Sequence, residues 1–168
     1  NSTMNKVSGR DELIAEWKKL DKAQPPVYYF PMIENGRVFY QKRMPGEKVS
    51  KVYFREGMNG KEQLLFDPLS YIPGKTLSVE QVIPSYDGKK IIIAYAEKGG
   101  EVSTIKILNV DTRKFLKDSI YPSLGAGGWT FDNKSIIYGW LKSADNTDPT
   151  ARLNTKTKLH TLGTEIKN

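Results

Sequence analysis

Two stretches of this chain match at a spacing of about forty-five residues: IPSYDGKKIIIAYA at 83–96 and GGWTFDNKSIIYGW at 127–140. Asp87-Gly88 in the first stands for Asp132-Asn133 in the second, Ile91-Ile92 for Ile136-Ile137, and Tyr95 for Trp140. A weaker third copy is FPMIENGRVFYQKR at 30–43, with Asn35-Gly36 in the turn and Val38-Phe39-Tyr40 in the strand that follows. Self-similarity at such a period means that one supersecondary unit is used several times, each copy burying its apolar face against the next.

The unit is read from its turns. VYYFPMIE, RVFYQKR, KVYFREG and EQLLFD form a first round of short β-rich segments, with Asn35-Gly36 and Asn59-Gly60 as turns. VEQVIPS, KIIIAYAE, STIKILNV and KFLKDSI form a second, broken by Asp87-Gly88, a Gly99-Gly100 loop and Asp111-Thr112. GGWTF, SIIYGWLK and KTKLHTLG form a third, broken by Asp132-Asn133 and a long polar loop from Ser143 to Thr155. Asn-Gly and Asp-Gly accept the positive φ of tight two-residue hairpins, so each round is expected to be four antiparallel strands. Four-stranded units at this period are β-propeller blades. A β-sandwich explains the turns but not the period. Gly127-Gly128 fits the innermost strand of a blade, where a missing side chain permits close backbone approach.

Ahead of the strands, DELIAEWKKLDKA at 11–23 places Leu13, Ile14, Trp17 and Leu20 on one helical stripe with Asp11 as N-cap, and Pro25-Pro26 ends it. The expected organisation is an N-terminal helical extension over 1–26, blade one over 27–74, blade two over 75–122 and an incomplete blade three over 123–168. A propeller closes with roughly four to eight blades. Two and three-quarter blades therefore read as part of a longer protein, and a start at Asn1 suits a processed or truncated chain.

Bulk properties narrow the partners. The 168 residues are 38% hydrophobic, with no apolar run near the ~20 residues that span a bilayer. Cysteine is absent, so nothing distinguishes an oxidising from a reducing compartment, and the localisation of an expected soluble protein stays open between cytoplasm and periplasm. The net charge of +7 comes from pairs such as Lys18-Lys19, Lys42-Arg43 and Lys89-Lys90, interspersed with acids. A solvated basic surface, not a nucleic-acid site, follows from that scatter.

Chemistry is sparse. Serine acyl transfer uses a nucleophile on a strained turn, usually Gly-x-Ser-x-Gly, and the chain has none. The single His160 lies in a strand beside Leu159 and is read as structural, and one histidine without cysteine excludes the usual zinc ligand sets. Asp145 and Asp148 in ADNTDPT miss the calcium-loop spacing and are read as a solvated loop. Tyr28, Tyr29, Phe30, Tyr53, Phe54, Trp129 and Trp140 sit inside strands among apolar neighbours and are expected in the interblade core rather than as stacking platforms. No cofactor or metal is expected.

The order VFYQKR, KVYFREGMNGKEQLLFDP, SYDGKKIIIAYAEKGGEVSTIKILNVDT, GGWTFDNKSIIYGW and KLHTLGTE resembles the start of the propeller in prolyl oligopeptidases. The resemblance spans roughly residues 11–168. Its most specific elements are Leu-Leu-Phe-Asp-Pro at 64–68, Thr104-Ile105-Lys106, Trp129-Thr130 and Leu159-His160-Thr161-Leu162-Gly163-Thr164. It implies an all-β fold, a partial seven-bladed propeller of about two and three-quarter four-stranded antiparallel blades behind a short N-terminal helix. It also implies a parent serine peptidase that cleaves short peptides after proline, in which the propeller filters access to an α/β-hydrolase domain carrying the Ser-Asp-His triad. The helix then leads covalently from the N-terminal extension into blade one, rather than awaiting a partner. In the family, side chains near the start of blade three face the substrate cavity. The stretch here is SLGAGGW, whose glycines depart from the bulkier residues usual there and leave Leu124 as the candidate substrate-facing residue. The alternative is a propeller serving as a protein-interaction module without a hydrolase. For the isolated chain, self-association is expected through the flank from VYYFPMIE to EQLLFD or through the open edge at KLHTLG.

Overall fold

Alternation of apolar and polar side chains sets where each strand begins and which way it faces. The computed structural model describes residues 7–97, 100–145 and 147–166. Its elements are α1 (Arg10–Ala23), β1 (Val27–Glu34), β2 (Arg37–Arg43), β3 (Lys51–Glu56), β4 (Gln63–Phe66), α2 (Pro68–Tyr71), β5 (Leu77–Pro84), β6 (Lys90–Glu97), β7 (Ser103–Asn109), β8 (Phe115–Trp129), β9 (Ser135–Trp140) and β10 (Lys156–Thr161). One sheet has the order β1-β2-β3-β4 and the other β10-β9-β8-β7-β6-β5, all antiparallel. The architecture is an all-β partial propeller with a short N-terminal helix.

The run KIIIAYAE shows why the sheets stack. Ile91, Ile93 and Tyr95 point from β6 into a core shared with Phe39, Val52, Phe54 and Phe66 of the first sheet. Ile92 and Ala94, on its other face, join Ile105, Ile107, Ile120, Trp129, Ile136 and Tyr138 in a second core. A strand buried on both faces reads as a continuous apolar run, and each fully buried isoleucine contributes about 1.5–3 kcal/mol. Ile91, Ile92, Ile93, Ile105, Ile107 and Ile136 are all completely shielded from solvent.

Several local expectations are corrected. Gly9, at φ +78°, takes the N-cap position of α1 without any side-chain cap, and Asp11 sits in the first turn, favoured there by the helix dipole. The helix buries none of its residues, and Leu13, Trp17 and Leu20 of its apolar stripe stand exposed. Its end is as expected, with Gln24 extended ahead of Pro25. The short α2 was not anticipated; the Asp67 side chain caps it at Leu69 N, with Pro68 in the first turn. Tyr28 and Phe30, expected in the core, are exposed on β1, whereas Phe54 and Trp129 are buried. Of the Gly99-Gly100 loop, Gly99 lies outside the described residues.

The turns of the repeat also differ from expectation. Asn35 and Gly36, at φ +48° and +77°, form the two-residue primed hairpin between paired Glu34 and Arg37. Asp87-Gly88 and Asp132-Asn133 instead lie within four-residue loops, closed by Ser85 N to Lys90 O at 2.8 Å and Thr130 N to Ser135 O at 2.9 Å. The aspartates explain this. Ser85 Oγ donates to Asp87 Oδ1 at 2.6 Å, Lys89 N donates to the same oxygen, and Lys90 N returns a bond to Ser85 Oγ. Thr130, Asp132, Lys134 and Ser135 repeat these bonds one for one. Such side-chain bonding offers the backbone an alternative to a tighter turn. Burial pushes the Asp87 carboxyl up, but the Ser85 and Lys89 hydrogen bonds outweigh it and hold the group below its usual range. Only the residue after each aspartate adopts positive φ, Gly88 at +67° and Asn133 at +57°.

KFLKDSI and GGWTF, read as separate strands, belong to one element. β8 pairs with β7 as far as Ser123 and with β9 from the same residue onward, so it leaves the outer side of one four-stranded unit and becomes the inner strand of the next. Register shifts between Ser123 and Ala126 and between Ala126 and Gly128 let it bend. Gly128 serves that bend through φ +138°, while the expected close approach falls at Gly125, where an added Cβ would lie 2.4 Å from Gln81 Oε1.

Two outcomes are expected. Gly88→Val places a β-branched residue at φ +67°, with its Cβ 3.0 Å from Glu34 O; it should cost about 1–2 kcal/mol or more, whereas Asn133→Gly at the matching position should cost less than about 1 kcal/mol. Thermal melts compare the two, and a wild-type melt for Gly88→Val refutes the turn geometry. The second concerns the β10 edge, where Leu159 is 62% exposed. The chain should self-associate at micromolar concentration in light scattering, and Leu159→Lys should weaken that association. A monodisperse wild-type monomer rules it out.

Candidate functional site

The first strand of each unit carries an extra residue at a comparable level. β1 shifts register between Tyr29 and Met32, β5 between Val79 and Gln81, and β8 between Ser123 and Ala126. Phe30-Pro31, Glu80 and Leu124-Gly125 are the residues left without a ladder partner there. A bulge re-aims side chains, and here it leaves Phe30 70% and Leu124 46% exposed, with Glu80 also in solvent. Innermost strands line the central channel of a propeller. These three bulges therefore form the axial wall of the fragment.

Polar clasps hold that wall in register. The Gln81 side-chain amide accepts from Ala126 N at 2.7 Å and donates to Ala126 O at 3.2 Å, and Trp129 Nε1 donates to Ile83 O at 2.9 Å. Gly139 leaves room for Leu124, since a Cβ there would come within 3.0 Å of the leucine Cβ. At the turn end, Asn35 Nδ2 donates to Asp87 O and the Arg37 guanidinium to Gly88 O, while the same guanidinium pairs with Asp111 and Glu56. Of these residues, sequence reading singled out only Leu124 as a site candidate. Nothing in the neighbourhood of Gln81 or Phe30 announces a role, because the partners are about one unit away along the chain.

His160 is buried in β10, and its Nε2 lies 2.7 Å from Asp118 Oδ1 of β8, which also accepts from Gly163 N at 2.8 Å. Burial raises the Asp118 carboxyl, but the bonds from His160 and Gly163 prevail and hold it below the usual carboxylate range. The pair faces no serine nucleophile motif and lies between two sheet strands, which is an arrangement for fastening rather than proton transfer. Asp145 and Asp148 each accept from the backbone and hydroxyl of a threonine two residues on, Thr147 and Thr150. Asn146 between them lies outside the described residues. No group of three or more His, Cys, Asp or Glu side chains among the described residues is arranged to hold a metal ion, and no helix among them is long and apolar enough to cross a membrane. A cleft of about 520 Å³ opens between the end of α1, the loop after β2 and the start of β5. Of its two acids, Asp21 and Glu47, the second is engaged by Lys51 Nζ and Met44 N.

The family model for the prolyl oligopeptidase N-terminal β-propeller domain matches residues 1–168. The chain belongs to the prolyl oligopeptidase family. Among solved structures, this prolyl oligopeptidase propeller segment is similar to a prolyl endopeptidase studied for the role of inter-domain dynamics in catalysis and specificity, with 30% identity and a TM-score of 0.83 over 98% of this chain and 24% of that one. Prolyl oligopeptidase B from Galerina marginata, bound to a 25-residue macrocyclization substrate, shares the fold at 17% identity, with a TM-score of 0.79 over 97% of this chain and 26% of that one. The propeller domain of the trilobed protease from Pyrococcus furiosus, of open velcro topology, is more distant at 16% identity and a TM-score of 0.53, over 71% of this chain and 36% of that one. The chain thus spans about a quarter of the length of the prolyl oligopeptidases it matches.

The Asp118–His160 pair has a testable signature. A carboxyl whose folded pKa is depressed contributes stability that is complete above its unfolded value of about 3.9 and is lost as pH falls through the folded value. Urea or thermal stability should therefore decline as pH drops below about 4. Asp118→Ala should flatten part of that decline and cost about 1–3 kcal/mol at neutral pH for each buried partner left unpaired. An unchanged acid limb in the variant would remove Asp118 from the account.

Proposed function

We propose that this chain is part of the substrate-filtering propeller of a serine peptidase that cleaves short peptides after proline, and that its partner is an α/β-hydrolase domain of the same parent protein. The observation that carries this reading is the family match over residues 1–168. The axial wall supports it further. Its bulged strands are locked in register by Gln81 and Trp129, yet they leave Leu124 exposed. On this reading Leu124 faces the cavity through which a peptide reaches the nucleophile, and the surrounding glycines of SLGAGG keep the wall thin there. Filtering then follows from geometry: a rigid ring passes an extended peptide and excludes a folded domain. The N-terminal extension over 1–26, which carries α1 (Arg10–Ala23), leads into the first blade, and the blades follow at the boundaries given by the repeat.

Chemistry resides outside this segment, since activating a serine needs a base and an orienting acid beside it. The isolated chain should hydrolyse no prolyl peptide, and a serine-directed phosphonofluoridate should leave its intact mass unchanged. The full-length protein should release the chromophore from a proline-containing peptide anilide and take up one equivalent of the same reagent. A full-length protein without either activity would favour an interaction propeller, and an adduct on the isolated chain would overturn the assignment of chemistry to another domain.

A further inference from the structure

Phe30 holds a backbone conformation that an aromatic residue seldom adopts. Its φ is +49°, it precedes Pro31, and its ring is 70% exposed. Bulky side chains avoid the left-handed region, and a following proline favours extended geometry. Retaining phenylalanine here gains no burial to compensate. An outlier of this kind, kept at a solvent-facing bulge, points toward function.

The surroundings identify what the ring would meet. Phe30 and Glu80 line one cavity of about 250 Å³ between β1 and β5, with Gln41 and Gln81 also on its wall. Nearby rings already carry cations: Lys42 lies over Tyr28 and Tyr53, and Arg43 lies over Tyr29. Among the described residues no cation lies over Phe30, and Glu80 forms no ion pair, its carboxylate accepting only from the Ser78 hydroxyl at 2.5 Å. An exposed aromatic ring and an unpaired carboxylate on the wall of one cavity are the pairing that recognises a guanidinium or ammonium group, by cation–π attraction and charge together.

We propose that Phe30 and Glu80 form a notch on the axial wall that binds a positively charged residue of the peptide substrate, making them selectivity residues for basic peptides. The proposal rests on the peptidase reading for the identity of the ligand, and it deepens that reading by naming a substrate class. The bulge in β1 leaves the ring exposed, and the matching bulge in β5 brings Glu80 to the same cavity. Leu124, on the third bulge, supplies an apolar contact further round the wall.

The test uses the full-length protein and fluorescein-labelled decapeptides containing one proline. Each peptide carries lysine or arginine at one position and is matched to a copy with glutamine there. Binding is read by fluorescence polarisation and cleavage by chromatography in parallel. The wild type should bind the basic peptides about three- to tenfold more tightly than the glutamine copies. Phe30→Gly and Glu80→Gln should each bring that ratio close to one, the basic peptides losing more affinity than their glutamine copies. Glycine adopts φ +49° freely, so Phe30→Gly should melt no lower than wild type, which separates lost selectivity from a damaged fold. A ratio unaltered by both substitutions overturns the notch. Selective binding without any cleavage by the wild type would support the notch while overturning the peptidase reading.

Discussion

A four-stranded sheet with apolar side chains on both faces has to be enclosed between two neighbours, and that requirement organises this chain. β6 is where it is most stringent: Ile91 and Ile93 serve one core, Ile92 and Ala94 the other. The first sheet makes a different compromise on the face turned away from β6. There Tyr40 donates to Glu62 at 2.7 Å, Lys42 pairs with the same carboxylate, and the rings of Tyr28 and Tyr53 pack around the ammonium. Polar aromatics with satisfied hydroxyls tolerate water where a row of isoleucines would not.

Hydrophobic contact alone does not fix how one sheet sits on the next, because it is non-directional. Directional bonds supply the register. Gln81 meets both polar backbone groups of Ala126, Trp129 reaches Ile83, and Arg37 ties the first hairpin to the second turn and to Asp111. The two interfaces solve one position differently. Val110 N bonds to Lys89 O just as Leu162 N bonds to Lys134 O, which makes Leu108 the counterpart of His160. Leu108 is fully apolar in its environment, whereas His160 faces Asp118. A buried polar pair demands its partner, and so it discriminates against shifted alignments that a leucine would accept.

Much of this was legible in the sequence, and the failures have physical causes. β1, β2 and β6 appear at the residues expected, because period-two burial and turn residues agree there. The four-residue loops escaped notice since Asp-Gly favours a tight turn until Ser85 or Thr130 recruits the aspartate. The glycines of SLGAGG looked like a break between strands, yet at Gly125 and Gly128 they permit a bend within one. Exposure of Tyr28 and Phe30 could not be inferred from strand propensity, which reports a fit to a pleated surface and not which face is covered. Leu124 was suggested by family resemblance. Asp118 and Gln81 carried no local signal, as their partners lie on other strands, and Glu80 shares its cavity with a residue of another strand, Phe30.

The junctions between successive units differ in kind. The first and second sheets are joined through residues 67–76, which contain α2 and turn backbone. The second unit passes into the third through β8, whose Ser123 is paired to β7 and β9 alike. Swinging the first sheet away from the second therefore breaks no ladder hydrogen bond in the connecting backbone, while prising the third unit from the second tears a strand that belongs to both. Mechanical compliance is thus unevenly distributed around this arc, with a soft joint followed by a stiff one.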